Sequence, residues 1–271
     1  MKIQLLATDL DGTLMGASKV IPPRTYQALH KAMDAGCWVS LATGRAFTTA
    51  SYFAREMGIN APLICYQGAL IQDLRDGTVV YRSPLPLKVA RRLAAFTQAR
   101  RLSVQVYLED HQAYTERAKP VVDTILDKSG RDLIEVGDLV AWLNRLDRPP
   151  YKFLIEERPE AMVELVRDLE GEFAGGVHVT QSLDHLVEVT GPEASKGQAL
   201  ARLAAHLGVA QEATMAMGDH DNDASMIAWA GLGVAVGNAS PAAKAVADVI
   251  APPLEEEGAA WAIERYVLEG G

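Results

Sequence analysis

Five apolar runs of strand length, Ile3 to Thr8, Cys37 to Ala42, Leu63 to Tyr66, Thr214 to Met217 and Gly233 to Val236, are separated by stretches with helical patterns. Strands that alternate with helices pair in parallel, so this alternation predicts an α/β fold with a Rossmann-like, doubly wound parallel sheet wrapped by helices. The punctuation between the runs agrees with it. Pro22-Pro23 opens a helical stretch to Ala35 that Gly36 closes, and Ala46 to Met57 ends at Gly58.

Between about Pro84 and Thr190 the pattern changes. A helix (Leu87 to Arg101) precedes a strand pair (Ser103 to Glu109, Ala113 to Glu116), then a helix, a short strand and another helix. A strand (Tyr151 to Glu156), a helix (Pro159 to Phe173) and two strands (Val177 to Thr180, Leu186 to Val189) close the stretch. This reads as a second α/β unit, residues 84–190, inserted into a discontinuous core of residues 1–83 and 191–271. A chain of 271 residues has room for both. The basic cluster Arg91, Arg92, Arg100 and Arg101 on the first inserted helix reads as a solvated face rather than a binding patch.

With 49% hydrophobic and 23% charged residues, the chain buries enough apolar surface to offset ordering entropy, which excludes a disordered protein. A net charge of −9 repels polyanions and disfavours general nucleic-acid binding, whereas a small phosphorylated ligand needs only a locally positive pocket. Apolar runs such as Val246 to Ile250 stop well short of the roughly 20 residues that span a bilayer, and the first residues lack a signal-peptide pattern. The expectation is a cytoplasmic protein with no membrane partner; nothing in the sequence reports its oligomeric state. Cys37 and Cys65 lie in apolar stretches without metal-ligand spacing and read as buried structural thiols.

Ligands of open parallel sheets gather at the strands' carboxyl ends, and four of those ends are chemically loaded. The first carries Asp9-Leu10-Asp11-Gly12-Thr13, two carboxylates at i, i+2 before a glycine that permits a sharp turn; alone, it could be an Asp-Gly turn with a capping aspartate. The second carries Thr43-Gly44-Arg45 at a helix start, an anion cradle of hydroxyl, backbone N–H and helix dipole, or an ordinary threonine cap. Ser195-Lys196-Gly197-Gln198 opens a helix with Ser195 as N-cap and Gln198 closing a capping box. Lys196 there opposes the helix dipole by about 0.3–1 kcal/mol, so either something negative lies nearby or the lysine is simply solvated. The fourth, Gly218-Asp219-His220-Asp221-Asn222-Asp223, crowds three carboxylates beside an amide. Such acids are hard to keep ionised together unless a cation sits among them, and an acidic helix N-terminus stabilised by its dipole accounts for one or two of them but poorly for the whole set. Oxygen-only ligands suit Mg²⁺, and His220 reads as an exposed turn residue.

Together, in this order, the four motifs resemble the haloacid dehalogenase superfamily, and over nearly its whole length the chain looks like a Cof-type phosphatase of subfamily IIB. The resemblance implies a core with an inserted α/β cap that selects the substrate. It implies a Mg²⁺-dependent phosphomonoester hydrolase that acts on small phosphorylated metabolites, sugar phosphates or similar, through an aspartyl-phosphate. Asp9 would be the nucleophile and Asp11 the general acid/base. Mg²⁺ would be held by Asp9, the backbone carbonyl of Asp11 and Asp219, with Asp223 in support. Phosphate would be held by Thr43, Lys196 and Asn222, with Gly44 in the same cradle. Where family members often have Asn-Gly-Ala after the third strand, this chain has Gln67-Gly68-Ala69, which keeps the amide on a longer arm. A phosphomutase of the same superfamily and a non-catalytic phosphate-sensing protein are the competing readings. A receiver-like signalling domain is about half this size and lacks an acid in the position of Asp11.

Overall fold

The computed structural model describes residues 2–117 and 133–270. The chain opens with β1 (Leu5–Thr8), α1 (Pro23–Asp34), β2 (Trp38–Leu41), α2 (Phe47–Glu56), β3 (Leu63–Cys65), β4 (Leu70–Gln72) and β5 (Val79–Arg82). Next come α3 (Leu87–Ala99), β6 (Ser103–Tyr107), β7 (Ala113–Thr115), β8 (Ile134–Glu135), α4 (Leu139–Arg145), β9 (Lys152–Glu156), α5 (Pro159–Glu172), β10 (His178–Leu183) and β11 (Leu186–Thr190). The last part holds α6 (Lys196–Leu207), β12 (Thr214–Gly218), α7 (Ala224–Trp229), β13 (Leu232–Ala235), α8 (Pro241–Ala245), β14 (Val249–Ile250) and α9 (Gly258–Ile263). The helix that the sequence pattern puts after Glu116 lies outside the described residues.

Two compact units emerge. One combines Met1–Arg45, Ala50–Arg82 and Ser195–Gly271; the other is Ser83–Ala194 together with Ala46–Thr49. The first is built on a wholly parallel sheet in the order β14-β13-β12-β1-β2. β1 and β12 at its centre are buried along their whole length, which is why both read as unbroken apolar runs. Leu5, Ala7 and Ala216 pack with Leu200 and Leu203 of α6 and Met226 of α7. The Leu63–Tyr66 run departs from the expected parallel strand: β3 pairs antiparallel with β4 in a three-stranded sheet, and reaches β2's end through a single parallel bridge, Ala42 to Ile64.

In the second unit the sheet runs β10-β11-β9-β6-β7-β8, antiparallel except between β7 and β8. Period-2 alternation sends Val106, Phe153, Ile155, Val187 and Val189 to one face, against Leu93 and Phe96 of α3, Leu143 of α4 and Leu165 and Leu169 of α5. Of the arginines read as a solvated face, Arg92, Arg100 and Arg101 are exposed and Arg91 is half-buried, and three of the four also fasten this layer. Arg91 donates to the carbonyls of Leu143 and Leu146, Arg92 to that of Glu172, and Arg100 pairs with Asp168 at 2.8 Å while lying over the Phe96 ring. Cys37 and Cys65 are both buried, and burial pushes the Cys37 thiol up to about 11. No helix among the described residues is long and apolar enough to cross a membrane.

Candidate active site

The chain leaves β1 toward β2 on one side, while β12, β13 and β14 extend the sheet on the other. The strand order therefore reverses between β1 and β12, and a crevice opens there beyond the carboxyl ends. Asp9 directly follows β1, and Asp219 directly follows β12. Gly12, at φ +90°, makes their approach possible: a Cβ on it would lie 2.2 Å from Asp219 Oδ2.

Lys196, the first residue of α6, is 1% exposed, and Ser195 caps the helix by accepting the Gln198 N–H at 3.2 Å. The negative charge that a lysine in this first turn calls for is present: Lys196 Nζ donates to Asp9 Oδ1 and to Asp223 Oδ1, both at 2.6 Å. Asp223 is bound on its other side as well, since its Oδ2 accepts the N–H groups of Asp219 and His220 at 2.9 Å. Asp219 Oδ1 accepts the Thr13 hydroxyl at 2.8 Å. The acidic cluster is not the three acids of the fourth motif. Asp221 is exposed and receives the Ser240 hydroxyl, whereas Asp9 joins Asp219 and Asp223, with one oxygen of each within 4.8 Å of the others. His220 is half-buried rather than exposed.

Burial raises the Asp9 carboxyl well above its usual range; Lys196 works against that, and Asp223, Asp219 and Asp11 add to it. Burial and then Asp223 push Asp219 up to about 6. Lys196 moves upward, because Asp223 and Asp9 outweigh the burial that would lower it. Three carboxylates against one ammonium leave a surplus of negative charge in a low-dielectric crevice, and their donors are all oxygen. This set fits a hard divalent cation.

Two contacts were not foreseen from the sequence. Arg45 grips Asp11 with both arms of its guanidinium, Nε to Oδ2 at 2.6 Å and Nη2 to Oδ1 at 2.7 Å, and Lys19 Nζ adds a third contact at 2.6 Å. Burial raises Asp11, but these bonds outweigh it and hold the carboxyl below its usual range. The signal was Arg45 itself, a cation at a strand end beside an unpaired carboxylate motif. Thr43 is buried and accepts the Arg45 N–H at 3.2 Å, with Gly44 half-buried between them. The second contact joins Asn222 to Gln67, Nδ2 donating to Oε1 at 2.9 Å. Asp9, Lys196, Asp219 and Asp223 thus converge in direct contact or within one cation's reach, while Asp11 faces Arg45 and Asn222 faces Gln67.

The family model for haloacid dehalogenase-like hydrolases matches residues 6–263. The chain belongs to the haloacid dehalogenase-like hydrolases. A structure of a haloacid dehalogenase-like hydrolase from Bacteroides thetaiotaomicron superposes with a TM-score of 0.86 at 29% identity, over 97% of this chain and 99% of that one. The 5-amino-6-(5-phospho-D-ribitylamino)uracil phosphatase YitU of Bacillus subtilis is 27% identical over 98% of both proteins. The chloroplastic endoribonuclease YBEY of Arabidopsis thaliana is 30% identical over 98% of this chain, but the match spans only 47% of that longer protein.

Proposed function

We propose that this member of the family hydrolyses phosphomonoesters of small metabolites through an aspartyl-phosphate on Asp9. The observation that carries the reading is the buried Lys196, bound at 2.6 Å to Asp9 and Asp223 beside Asp219. An anionic nucleophile meets a dianionic ester only where cations screen the repulsion, and beside Asp9 stand the buried Lys196 ammonium and the carboxylate oxygens that could hold a further cation. Mg²⁺, held by Asp9, the backbone carbonyl of Asp11 and Asp219 with Asp223 in support, would supply the remaining positive charge.

An Asp9 carboxylate oxygen attacks phosphorus in line as the bond to the ester oxygen breaks, and Asp11 gives that oxygen a proton. Water then attacks the phosphorus of the aspartyl-phosphate, surrendering its proton to Asp11, and inorganic phosphate leaves with Asp9 restored. Arg45 and Lys19 keep Asp11 anionic, the form that receives a proton; protonating the leaving group requires the carboxyl to turn out of that grip. Thr43, Gly44, Lys196 and Asn222 hold the phosphoryl oxygens. The inserted unit, residues 84–190, selects the leaving group, and YitU, named for a phosphorylated ribityl compound, points to polar metabolites as the class.

The test separates Asp9 from Asp11. Asp11→Asn keeps the nucleophile but loses proton transfer, worth about 10²–10⁴-fold. With an aryl phosphate, whose leaving group needs little protonation, mass spectrometry of Asp11→Asn should find one phosphoryl group on Asp9, and Asp9→Asn should carry none. A label on serine or histidine, or parental turnover by Asp9→Asn, would overturn the mechanism.

A further inference from the structure

Gln67 has no task in the reaction above, yet the backbone that carries it is costly. Tyr66 and Gln67, neither a glycine, take left-handed conformations at φ 51° and 58°, each at a cost on the order of 1 kcal/mol or more, and Gly68 follows at φ 97°. Such a run persists only where its surroundings fix it. Here the Gln67 N–H donates to the Thr43 carbonyl and the Tyr66 N–H to the Arg45 carbonyl, both at 3.1 Å. On the far side, a Cβ added to Gly68 would lie 2.3 Å from the Ser195 carbonyl oxygen. The strained turn is thereby tied to the Thr43 loop and packed on the start of α6, and it delivers the buried Gln67 side chain to Asn222.

The bond between the two amides leaves a defect. Asn222 Oδ1 is buried without a hydrogen-bond partner, a situation that costs about 1–3 kcal/mol. An unprotonated phosphoryl oxygen cannot relieve it, because both are acceptors. Turning both amides by half a rotation does. Gln67 Nε2 then donates to Asn222 Oδ1, their bond survives, and Asn222 Nδ2 comes to the position of the unpaired oxygen, where it donates to an anion. An amide at position 67 supports both orientations, whereas a carboxylate only accepts and an apolar side chain does neither.

We propose that Gln67 is a positioning residue that holds Asn222 in two alternative orientations, an acceptor-outward one at rest and a donor-outward one when phosphate is bound. The inference rests on the reading of Asn222 as a phosphate contact. It is tested with inorganic phosphate as a competitive inhibitor of aryl phosphate hydrolysis by the Mg²⁺-loaded protein. Gln67→Met should raise the inhibition constant about three- to tenfold, the worth of one net hydrogen bond, and should add nothing further when Asn222 is already alanine. An unchanged constant, or an equal effect in both backgrounds, would overturn the role of Gln67. Asn222→Ala that leaves phosphate inhibition untouched would instead overturn the phosphate reading of Asn222. Should Gln67→Met fold poorly, the parent protein still decides the matter by nitrogen-15 NMR. The Asn222 side-chain amide signals, assigned by their loss in Asn222→Ala, should shift on adding inorganic phosphate; signals that stay fixed would overturn the proposal.

Discussion

Lys196 in the core and Lys152 in the inserted unit are both buried against carboxylates, but the company each keeps is different. Lys152 Nζ pairs with Glu188 Oε2 at 2.8 Å and lies 4.9 Å from the centre of the Tyr107 ring, whose hydroxyl donates to Gln105. One cation meets one anion, and hydrogen bonds and a ring face complete the cage. Lys196 meets two carboxylates at 2.6 Å with a third within reach, and the cluster stays negative. Desolvating ions is expensive, so both arrangements need compensation; the inserted pair contains its own, and the core cluster does not. A buried charge surplus therefore marks the site where something from solution is to bind, whereas a buried charge balance marks a joint of the fold.

The comparison breaks first at the metal. Chelation should drop phosphate release to background and Mg²⁺ should restore it in the parent and in Lys152→Met alike; full turnover in excess EDTA would remove the reason for the surplus. Next in size are the two lysines. Lys196→Met and Lys152→Met should each lose about 3–5 kcal/mol of unfolding stability at neutral pH, read by urea melts, because each strands a buried carboxylate. Added Mg²⁺ should return part of the loss to Lys196→Met and none to Lys152→Met; recovery of both would erase the distinction. Pairing Lys152→Met with Glu188→Leu should recover most of that penalty, since removing both charges leaves neither unpaired, and a double variant no better than the singles would show that the pair does more than join strands.

The smallest effect is in pH. Asp219 moves from an ordinary 3.8 up to about 6, so between those values the folded, metal-free protein binds more protons than the unfolded chain. Its contribution is present at low pH and is lost as pH rises through about 6, by at most about 1.4 kcal/mol per pH unit. Melting temperatures of the metal-free protein should fall across that window, and Asp219→Asn should flatten the slope. Were the slope unchanged in the variant, another group would be titrating.

The central strands were legible because burial on both faces turns them into apolar runs, and Asp9, Lys196, Asp219 and Asp223 were legible because strand ends and helix starts are where such residues stand out. What escaped depended on partners far along the chain. Leu63 to Tyr66 is apolar whether it pairs in parallel or antiparallel, so only β4 decides that β3 turns away from the main sheet. Asp221 shares a motif with Asp219 and Asp223, but the tight turn over Asp221–Asp223 points neighbouring side chains apart and sends it to Ser240. The grip of Arg45 and Lys19 on Asp11, and the amide pair of Gln67 and Asn222, are side-chain choices that periodicity does not encode.

The central sheet also fixes an order of assembly. Leu5 of β1 pairs with Trp38 of β2 on one edge, but its other edge waits for Thr214 of β12, beyond the whole inserted unit. As the chain is made, β1 and β2 emerge early with an open, apolar edge, while β6, β9 and β11 find their partners within their own stretch. The inserted unit is thus the part that can close first on the ribosome, and the crevice cannot exist until β12 arrives. A nascent chain halted before Thr214 would carry a finished insertion beside an unfinished sheet, the form of this protein most in need of a chaperone.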